Sequence, residues 1–228
     1  MIELATVIDN LDPDFVVTIA DRYETLATAV AASYLNRPVV HIQGGEVTGS
    51  IDEKVRHAVT KLSNIHFVAS EPAAERVRKL GEDPTTVHVT GCPSIDLASE
   101  ILESPALDFD VFQRYGGVGP RFDLDQGYLV VLQHPVTTEH DQALHDVIET
   151  LHAVHALKLP TLWFWPNPDA GSDGTSKGIR SFRETERPDN IHFFRNMAPN
   201  DFLRLIHGAR CLVGNSSVGI RESGFLRV

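Results

Sequence analysis

The sequence has only two cysteines and contains no long apolar run. Cys92 and Cys211 lie in separate segments and form no CxxC pair, which argues against a disulfide framework and against a structural zinc site. No apolar run approaches the roughly 18 to 20 residues that a membrane span requires. The N-terminal segment carries acidic residues such as Glu3 and Asp9, unlike a secretory signal peptide. We therefore expect a cytoplasmic protein with no membrane partner.

Basic residues are also scarce. The 228 residues include 20 Lys and Arg against 31 Asp and Glu, which gives a formal net charge of −11. Binding to nucleic acid or to an anionic membrane needs a positive field, so neither partner is expected. An anionic substrate would need a local cluster of Arg, His or backbone N–H groups. The apolar share of 42% and the charged share of 22% are typical of a globular protein.

Short β-branched runs alternate with amphipathic stretches almost from end to end. Such alternation predicts βαβ units with parallel sheets, an α/β fold in which the loops after the strands share one carboxyl edge and bind ligands there. The predicted strands are 15–19, 38–42, 65–69, 87–90, 128–133, 161–165, 191–194 and 211–213. The predicted helices are 2–11, 23–35, 52–62, 72–80, 139–157 and 200–206.

A glycine- and proline-containing stretch breaks this rhythm between residues 104 and 126. We predict a first domain at 1–104, a connection at 105–126 and a second domain at 127–228. Each domain has about four strands, fewer than a full doubly wound sheet usually carries. The chain also enters its first strand almost at once and ends on an apolar tail after a helix. Two interpretations stay open at this point: a small compact protein, or a chain that lacks both ends.

Carboxylates follow two strands of the first domain. Asp21 comes directly after the first strand, as a helix N-cap or as a site carboxylate, and Arg22 could contact an anion there. The glycine-rich stretch after the second strand leads to Glu46 and then to Asp52 at the start of a helix. Two or three carboxylates at one edge could share acid and base roles. The alternative is a simple helix cap followed by an ordinary glycine turn.

Strand ends of the second domain carry the remaining candidates. His134 could bind a phosphate or act as acid or base, although a lone histidine is more often structural. Asn167 could contact a base or ribose, or simply form an Asn-Pro turn. Ser216 and Ser217 could form a phosphate cradle at a helix N-terminus, or only cap the helix, and Glu222 could hold ribose hydroxyls. Walker A and GxGxxG motifs are absent. The other histidines lack the spacing of metal ligands, so no metal site is predicted.

Seven stretches together carry a family resemblance. They read ADRYE, HIQGGEVTGSIDE, RHAVTKLSNIHFVAS, GCPSID, QHPVTT, PNPDAGS and GNSSVGIRE. In this order, over residues 15–225, the sequence resembles the hydrolysing UDP-N-acetylglucosamine 2-epimerases of sialic- and legionaminic-acid biosynthesis. The resemblance implies a glycosyltransferase-B-like pair of Rossmann domains, here both incomplete, with the nucleotide sugar in the cleft between them. It also implies a homodimer or homotetramer if the chain is complete.

The resemblance further implies a reaction and the residues that perform it. UDP is eliminated across C1–C2 of UDP-N-acetylglucosamine or a bacillosamine relative, and water adds to the resulting 2-acetamidoglucal to give the 2-epimer. No metal or redox cofactor is needed. By this resemblance Asp21 and Asp52 are catalytic carboxylates, and His134 is the essential histidine near the phosphates. The implied UDP contacts are Arg22, Asn167, Ser216, Ser217 and Glu222, with Arg195, Asn196 and Met197 in the loop that contacts the base.

Two departures from the family pattern leave alternatives open. Gln43, predicted as a substrate contact, stands where some members carry a catalytic Glu, so that role passes to Glu46 or Asp52 or is lost. The family's N-terminal strand with its phosphate loop and its closing C-terminal segment have no counterpart, which predicts a fragment with exposed sheet edges, poor solubility and little turnover. The alternatives are a non-hydrolysing epimerase, a UDP-sugar-binding subunit without turnover, and a glycosyltransferase proper.

Overall fold

A computed structural model describes residues 1–49, 51–167 and 171–228, without the side chains of residues 137 and 140. The part of the PNPDAGS stretch at 168–170 therefore lies outside the described residues. The chain divides into two compact units, Met1–Pro93 and Ser94–Val228. Each is an α/β unit built on one four-stranded parallel sheet, so the predicted fold class is confirmed. No helix in the described part of the chain is long and apolar enough to cross a bilayer.

The first unit has a sheet in the order β1-β2-β3-β4, with every neighbouring pair parallel. Parallel neighbours need a crossover, and helices α2, α3 and α4 provide one after each of the first three strands. Helix α4 is capped by Ser70, whose Oγ accepts a hydrogen bond from the Ala73 N–H. The elements are α1 Ile2–Leu11, β1 Val16–Ile19, α2 Tyr23–Tyr34, β2 Val39–Ile42, α3 Ile51–Leu62, β3 Ile65–Val68, α4 Glu71–Lys79 and β4 Val87–Val89.

One strand of this unit is not covered as strands of parallel sheets usually are. Helices α1, α2 and α3 pack against Val16 and Val39 on one face of the sheet. On β1, however, Val17 and Ile19 keep 47% and 55% of their surface exposed. Parallel sheets normally bury both faces. The edge strand β1 therefore presents apolar side chains to solvent.

The second unit has the strand order β7-β6-β5-β8, all parallel. The order reverses at β5, because β6 follows on one side of it and β8 returns to the other. In open parallel sheets, ligands bind at the carboxyl ends of the strands at such a reversal. The elements are α5 Pro93–Glu103, α6 Val111–Tyr115, β5 Leu129–Leu132, α7 Ala143–Ala156, β6 Thr161–Phe164, α8 Ser172–Glu186, β7 Ile191–Phe194, α9 Pro199–His207, β8 Cys211–Gly214 and α10 Glu222–Leu226.

Two apolar clusters cover the two faces of this second sheet. Val131, Trp163 and Phe193 pack towards α7 and α8, whereas Val130 and Leu162 pack with α9 and α5 on the other face. The alternation follows the two-residue period of a strand. It buries strands β5, β6 and β7 along their whole lengths.

Neither α5 nor α8 is among the predicted helices. The chain divides after Pro93, whereas the predicted first domain extends to residue 104, because α5 packs its Ala98 and Ile101 into the second unit's core. Helix α8 was not predicted, since its glycine- and serine-rich sequence resembles a loop. Gly178 explains the composition: a Cβ there would overlap the side chain of Val147, so glycine allows α8 to pack closely on α7.

Candidate active site

The loop after β1 carries Asp21. Helix α2 is capped by Arg22, without a side-chain cap bond, so the alternative that Asp21 caps this helix is wrong. Ala20 holds a positive φ of 59°, which turns the chain at this point. The turn is fixed from β2, because His41 Nε2 lies 2.9 Å from the Ala20 carbonyl oxygen and donates to it. Asp21 is thereby held at the carboxyl edge of the sheet.

Arg56 joins this loop to the next one. Its guanidinium is buried, and Nη2 donates to the Asp21 carboxylate while Nη1 donates to the Glu46 carbonyl oxygen at 2.7 Å. Asp52 lies one turn earlier on the same helix, α3. Breaking a buried ion pair costs several kcal/mol, so this arrangement is strongly constrained. The structure thus gathers the segments that carry three predicted residues, Asp21, Glu46 and Asp52, around one arginine, whose role sequence reasoning missed.

The glycines after β2 serve packing as well as turning. Gly45 has a φ of 77°, and a Cβ there would overlap the Ala73 carbonyl oxygen of α4. Arg76 on that helix also donates to the Gly45 carbonyl oxygen at 2.9 Å. Glycine at position 45 therefore allows this loop to approach α4 closely. Gly49, by contrast, has open space around it.

Two groups near this loop have shifted pKa values. Glu53 accepts hydrogen bonds from the N–H groups of Gly49 and Thr48, both at 2.8 Å, and these bonds lower its carboxyl pKa. Burial lowers the pKa of His41 from 6.5 to about 4, so this ring is neutral at pH 7. Both residues were missed as structural parts of the site. The available signal was a histidine inside an otherwise apolar buried strand.

Gln43 follows β2 with a positive φ of 66° and is buried. Its side-chain amide donates to the Cys92 Sγ at 3.0 Å, and its backbone N–H donates to Phe67 at 2.8 Å. An amide cannot accept a proton in the manner of a carboxylate. In this structure Gln43 links the ends of β2 and β4 within the first unit.

In the second unit, the strand reversal brings His134 beside the loop that follows β8. Asn215 Oδ1 accepts from the His134 N–H at 2.8 Å, and Asn215 Nδ2 donates to the His134 carbonyl oxygen at 2.8 Å. The Asn167 N–H donates to His134 Nδ1 at 3.4 Å. Two predicted residues, His134 and Asn167, are therefore in contact. Asn215 was not among the predicted residues, although it lies inside the GNSSVGIRE stretch.

The segment after β8 differs from the predicted helix start. Ser216 is the N-cap residue of a three-residue 3-10 turn, Ser217–Gly219, but its side chain makes no cap hydrogen bond. Helix α10 begins only at Glu222 and has five residues. Within the described ranges, the buried Oε2 of Glu222 and Oε1 of Gln133 have no hydrogen-bond partner. Unpartnered buried acceptors are costly, and a bound donor such as a hydroxyl would satisfy them.

The other predicted contacts are more dispersed. Arg22 pairs with Glu24 at 3.6 Å. Arg195 and Asn196 are exposed after β7, while Met197 is buried in the core of the second unit. Among the described residues, no three His, Cys, Asp or Glu side chains are grouped as a metal site would require.

Comparison with known proteins identifies the family. The family model for UDP-N-acetylglucosamine 2-epimerase matches residues 1–228. The chain belongs to the UDP-N-acetylglucosamine 2-epimerase family. It is 36% identical to a hydrolysing UDP-N,N'-diacetylbacillosamine 2-epimerase of Legionella pneumophila over 95% of this chain and 55% of the relative. It is 33% identical to a UDP-N-acetylglucosamine 2-epimerase of Neisseria meningitidis over 94% of this chain and 54% of the relative.

Solved structures of the family confirm the predicted glycosyltransferase-B-like fold class. The 2-epimerase of Methanocaldococcus jannaschii, solved with UDP-GlcNAc and UDP, matches with a TM-score of 0.78 at 20% identity, over 100% of this chain and 62% of that one. At this identity the likeness establishes the fold alone. The chain spans about half the length of the curated 2-epimerases it matches.

Proposed function

We propose that this chain acts on a UDP-sugar as a hydrolysing 2-epimerase. The observation that carries the proposal is the buried Arg56, which gathers the segments bearing Asp21, Glu46 and Asp52 at one edge of the first unit. Removing a weakly acidic sugar proton requires a positioned carboxylate. We assign Asp21, Glu46 and Asp52 as the catalytic carboxylates that share proton transfer and orientation of the substrate.

In the proposed reaction, a carboxylate removes the proton from C2 of the sugar. The electron pair forms the C1–C2 double bond, and the C1–O bond breaks to release UDP. Water then adds to the 2-acetamidoglucal, with hydroxyl bonding to C1 and a proton returning to C2 on the opposite face. One UDP-sugar and one water thus give UDP and the free 2-epimer. The reaction needs no oxidant or reductant.

We assign UDP binding to the second unit. His134 and the Ser216-Ser217 turn follow two adjacent strands, β5 and β8, where the strand order reverses. Hydrogen-bond donors at such a position stabilise the charge of departing UDP. The unpartnered Oε2 of Glu222 supports its role as an acceptor for ribose hydroxyls. We add Arg22, Gln43, Asn167, Arg195, Asn196 and Met197 as further substrate contacts.

The substrate is proposed to be UDP-N-acetylglucosamine or UDP-N,N'-diacetylbacillosamine. The relatives from Legionella pneumophila and Neisseria meningitidis are named for these two sugars, and the first is described as hydrolysing. We keep cytoplasmic location and a homo-oligomer of the complete enzyme as predictions.

The test is incubation with each UDP-sugar in D2O, followed by proton NMR. Free UDP with a C2-deuterated 2-epimer is expected. Asp52→Asn should lower kcat by about 100-fold or more. Asp146→Asn, an exposed aspartate on α7, is the matched control and should leave kcat unchanged. A UDP-linked 2-epimer would instead show a non-hydrolysing enzyme.

A second candidate is UDP-sugar binding without turnover. Gln43 favours it, because its amide is engaged with Cys92 and offers no base. Under this alternative, calorimetry would detect UDP binding while both sugars stay unchanged in D2O.

A further inference from the structure

We propose that Asn215 is a positioning residue for His134. Its side-chain amide bonds both backbone groups of His134, accepting from the N–H and donating to the carbonyl oxygen, each at 2.8 Å. The two bonds fix the orientation of the amide, because only one end of it donates and only the other accepts. They join the residue after β8 to the second residue after β5. Asn215 therefore holds the backbone from which the His134 ring projects.

Asparagine suits this position better than aspartate, the residue most similar to it in shape. Aspartate has the same shape, but its second oxygen would face the His134 carbonyl oxygen with no hydrogen to share. The end of β8 also lies close to β5 here. Gly214 has a φ of 142°, and a Cβ at this position would overlap the Leu132 carbonyl oxygen. The Asn215 N–H donates to that same carbonyl at 3.2 Å. The short amide thus spans a gap that the glycine makes narrow.

The ring of His134 is set by a separate contact. The Asn167 N–H donates to His134 Nδ1 at 3.4 Å, so in the neutral ring Nδ1 accepts and the proton lies on Nε2. Asn215 fixes where the ring is attached, and Asn167 fixes which nitrogen carries the proton. Together they present Nε2–H as a donor. The inference rests on the proposed function in one respect: the group that Nε2–H donates to is taken to be a phosphate of UDP.

The test uses the whole chain with UDP as the probe. Asn215→Asp should weaken the UDP Kd by about tenfold, and Asn215→Ala should weaken it in the same direction. Asn200→Asp, an exposed asparagine on α9, is the matched control and should leave the Kd unchanged. Because Asn215 is itself exposed, all variants should keep the wild-type circular dichroism and Tm. In a His134→Ala background, Asn215→Asp should change the Kd less than about twofold, since the effect passes through His134.

A spectrum of the ring makes the test independent of UDP. Long-range ¹H–¹⁵N spectra, with His134 assigned by its loss in His134→Ala, should show the Nε2–H tautomer in the wild type. Asn215→Asp should give a mixture, because a displaced His134 backbone moves Nδ1 away from the Asn167 N–H. If the wild type does not bind UDP, the proposed function fails and this spectrum alone decides on Asn215. An unchanged spectrum in Asn215→Asp would overturn the inference. An equal loss of UDP affinity with and without His134 would overturn it as well.

Discussion

The two units hold their candidate residues by different physical means. In the first unit, Asp21 is held by the charge of Arg56, which is 1% exposed. In the second unit, His134 is held by neutral hydrogen bonds from Asn215, which is exposed. Buried charges are costly to leave unpaired, whereas exposed neutral bonds compete with water and contribute little to stability. Changes at the first site should therefore unfold the unit, and changes at the second should mainly alter binding.

The order of the strands also differs between the two sheets. The second sheet reverses its order at β5, which opens a crevice between the ends of β5 and β8. The described strands of the first sheet run in simple sequence, without a reversal. There the loops after β1 and β2 are joined by Arg56 instead. A charged side chain thus holds two loops together in the first unit, whereas the strand order places two loops side by side in the second.

The strongest challenge to this comparison is Arg56→Met. It leaves the Asp21 carboxylate without its partner and should lower the free energy of unfolding of the first unit by about 3 kcal/mol. Urea unfolding followed by circular dichroism measures this loss, while fluorescence follows the second unit, which contains both tryptophans, Trp163 and Trp165. Lys54→Met, at an exposed position of α3, is the control and should cost under about 0.5 kcal/mol. A loss for Arg56→Met as small as that of the control would contradict the role of the ion pair.

In the second unit, the backbone contact of Gly214 should matter more for stability than any side chain of its site. Gly214→Ala places a Cβ against the Leu132 carbonyl oxygen and should cost about 2.5 kcal/mol. Tryptophan fluorescence in urea reports this loss directly. Gly224→Ala has open space in α10 and should be neutral or slightly stabilising. Equal effects of the two substitutions would show that the approach of β8 to β5 is not tight.

Acid should weaken the first unit. Because burial lowers the pKa of His41 from 6.5 to about 4, the unfolded chain binds this proton more readily than the folded unit does. Its contribution is complete above pH 6.5 and is lost as pH falls towards 4, about 2 kcal/mol of it between pH 7 and pH 5. Burial lowers the pKa of His66 too, which adds an effect of the same sign.

The measurement is urea unfolding at both pH values. His41→Gln should remove most of the pH dependence of the first unit, whereas His145→Gln, at an exposed position of α7, should not alter it. A pH dependence that survives His41→Gln undiminished would assign the effect to other groups.

The smallest effect is expected at Cys92. Cys92→Ala removes the thiol that accepts from the buried amide of Gln43 and should cost about 1 kcal/mol. Cys92→Ser keeps an acceptor and should cost less. Circular dichroism in urea distinguishes the two variants, and equal losses would show that the amide does not depend on this partner.

Strand ends could be predicted from the sequence because each strand is a short apolar run followed by polar residues. Asp21, Glu46 and His134 were found in this way. Arg56 was not, because on a helix with several charged residues nothing distinguishes the arginine that points inward. Asn215 was missed because its partner groups are backbone atoms of a distant segment. Helix α8 was missed because glycines chosen for packing against α7 resemble a loop.

The exposed face of β1 has a consequence for handling the protein in solution. Val17 and Ile19 are half exposed on a strand that lies at the edge of its sheet. Such an edge has unpaired backbone groups beside apolar side chains, and two copies can join through it. We therefore expect the chain to self-associate, so that its apparent molecular mass from light scattering increases with protein concentration. Val17→Lys should reduce this self-association.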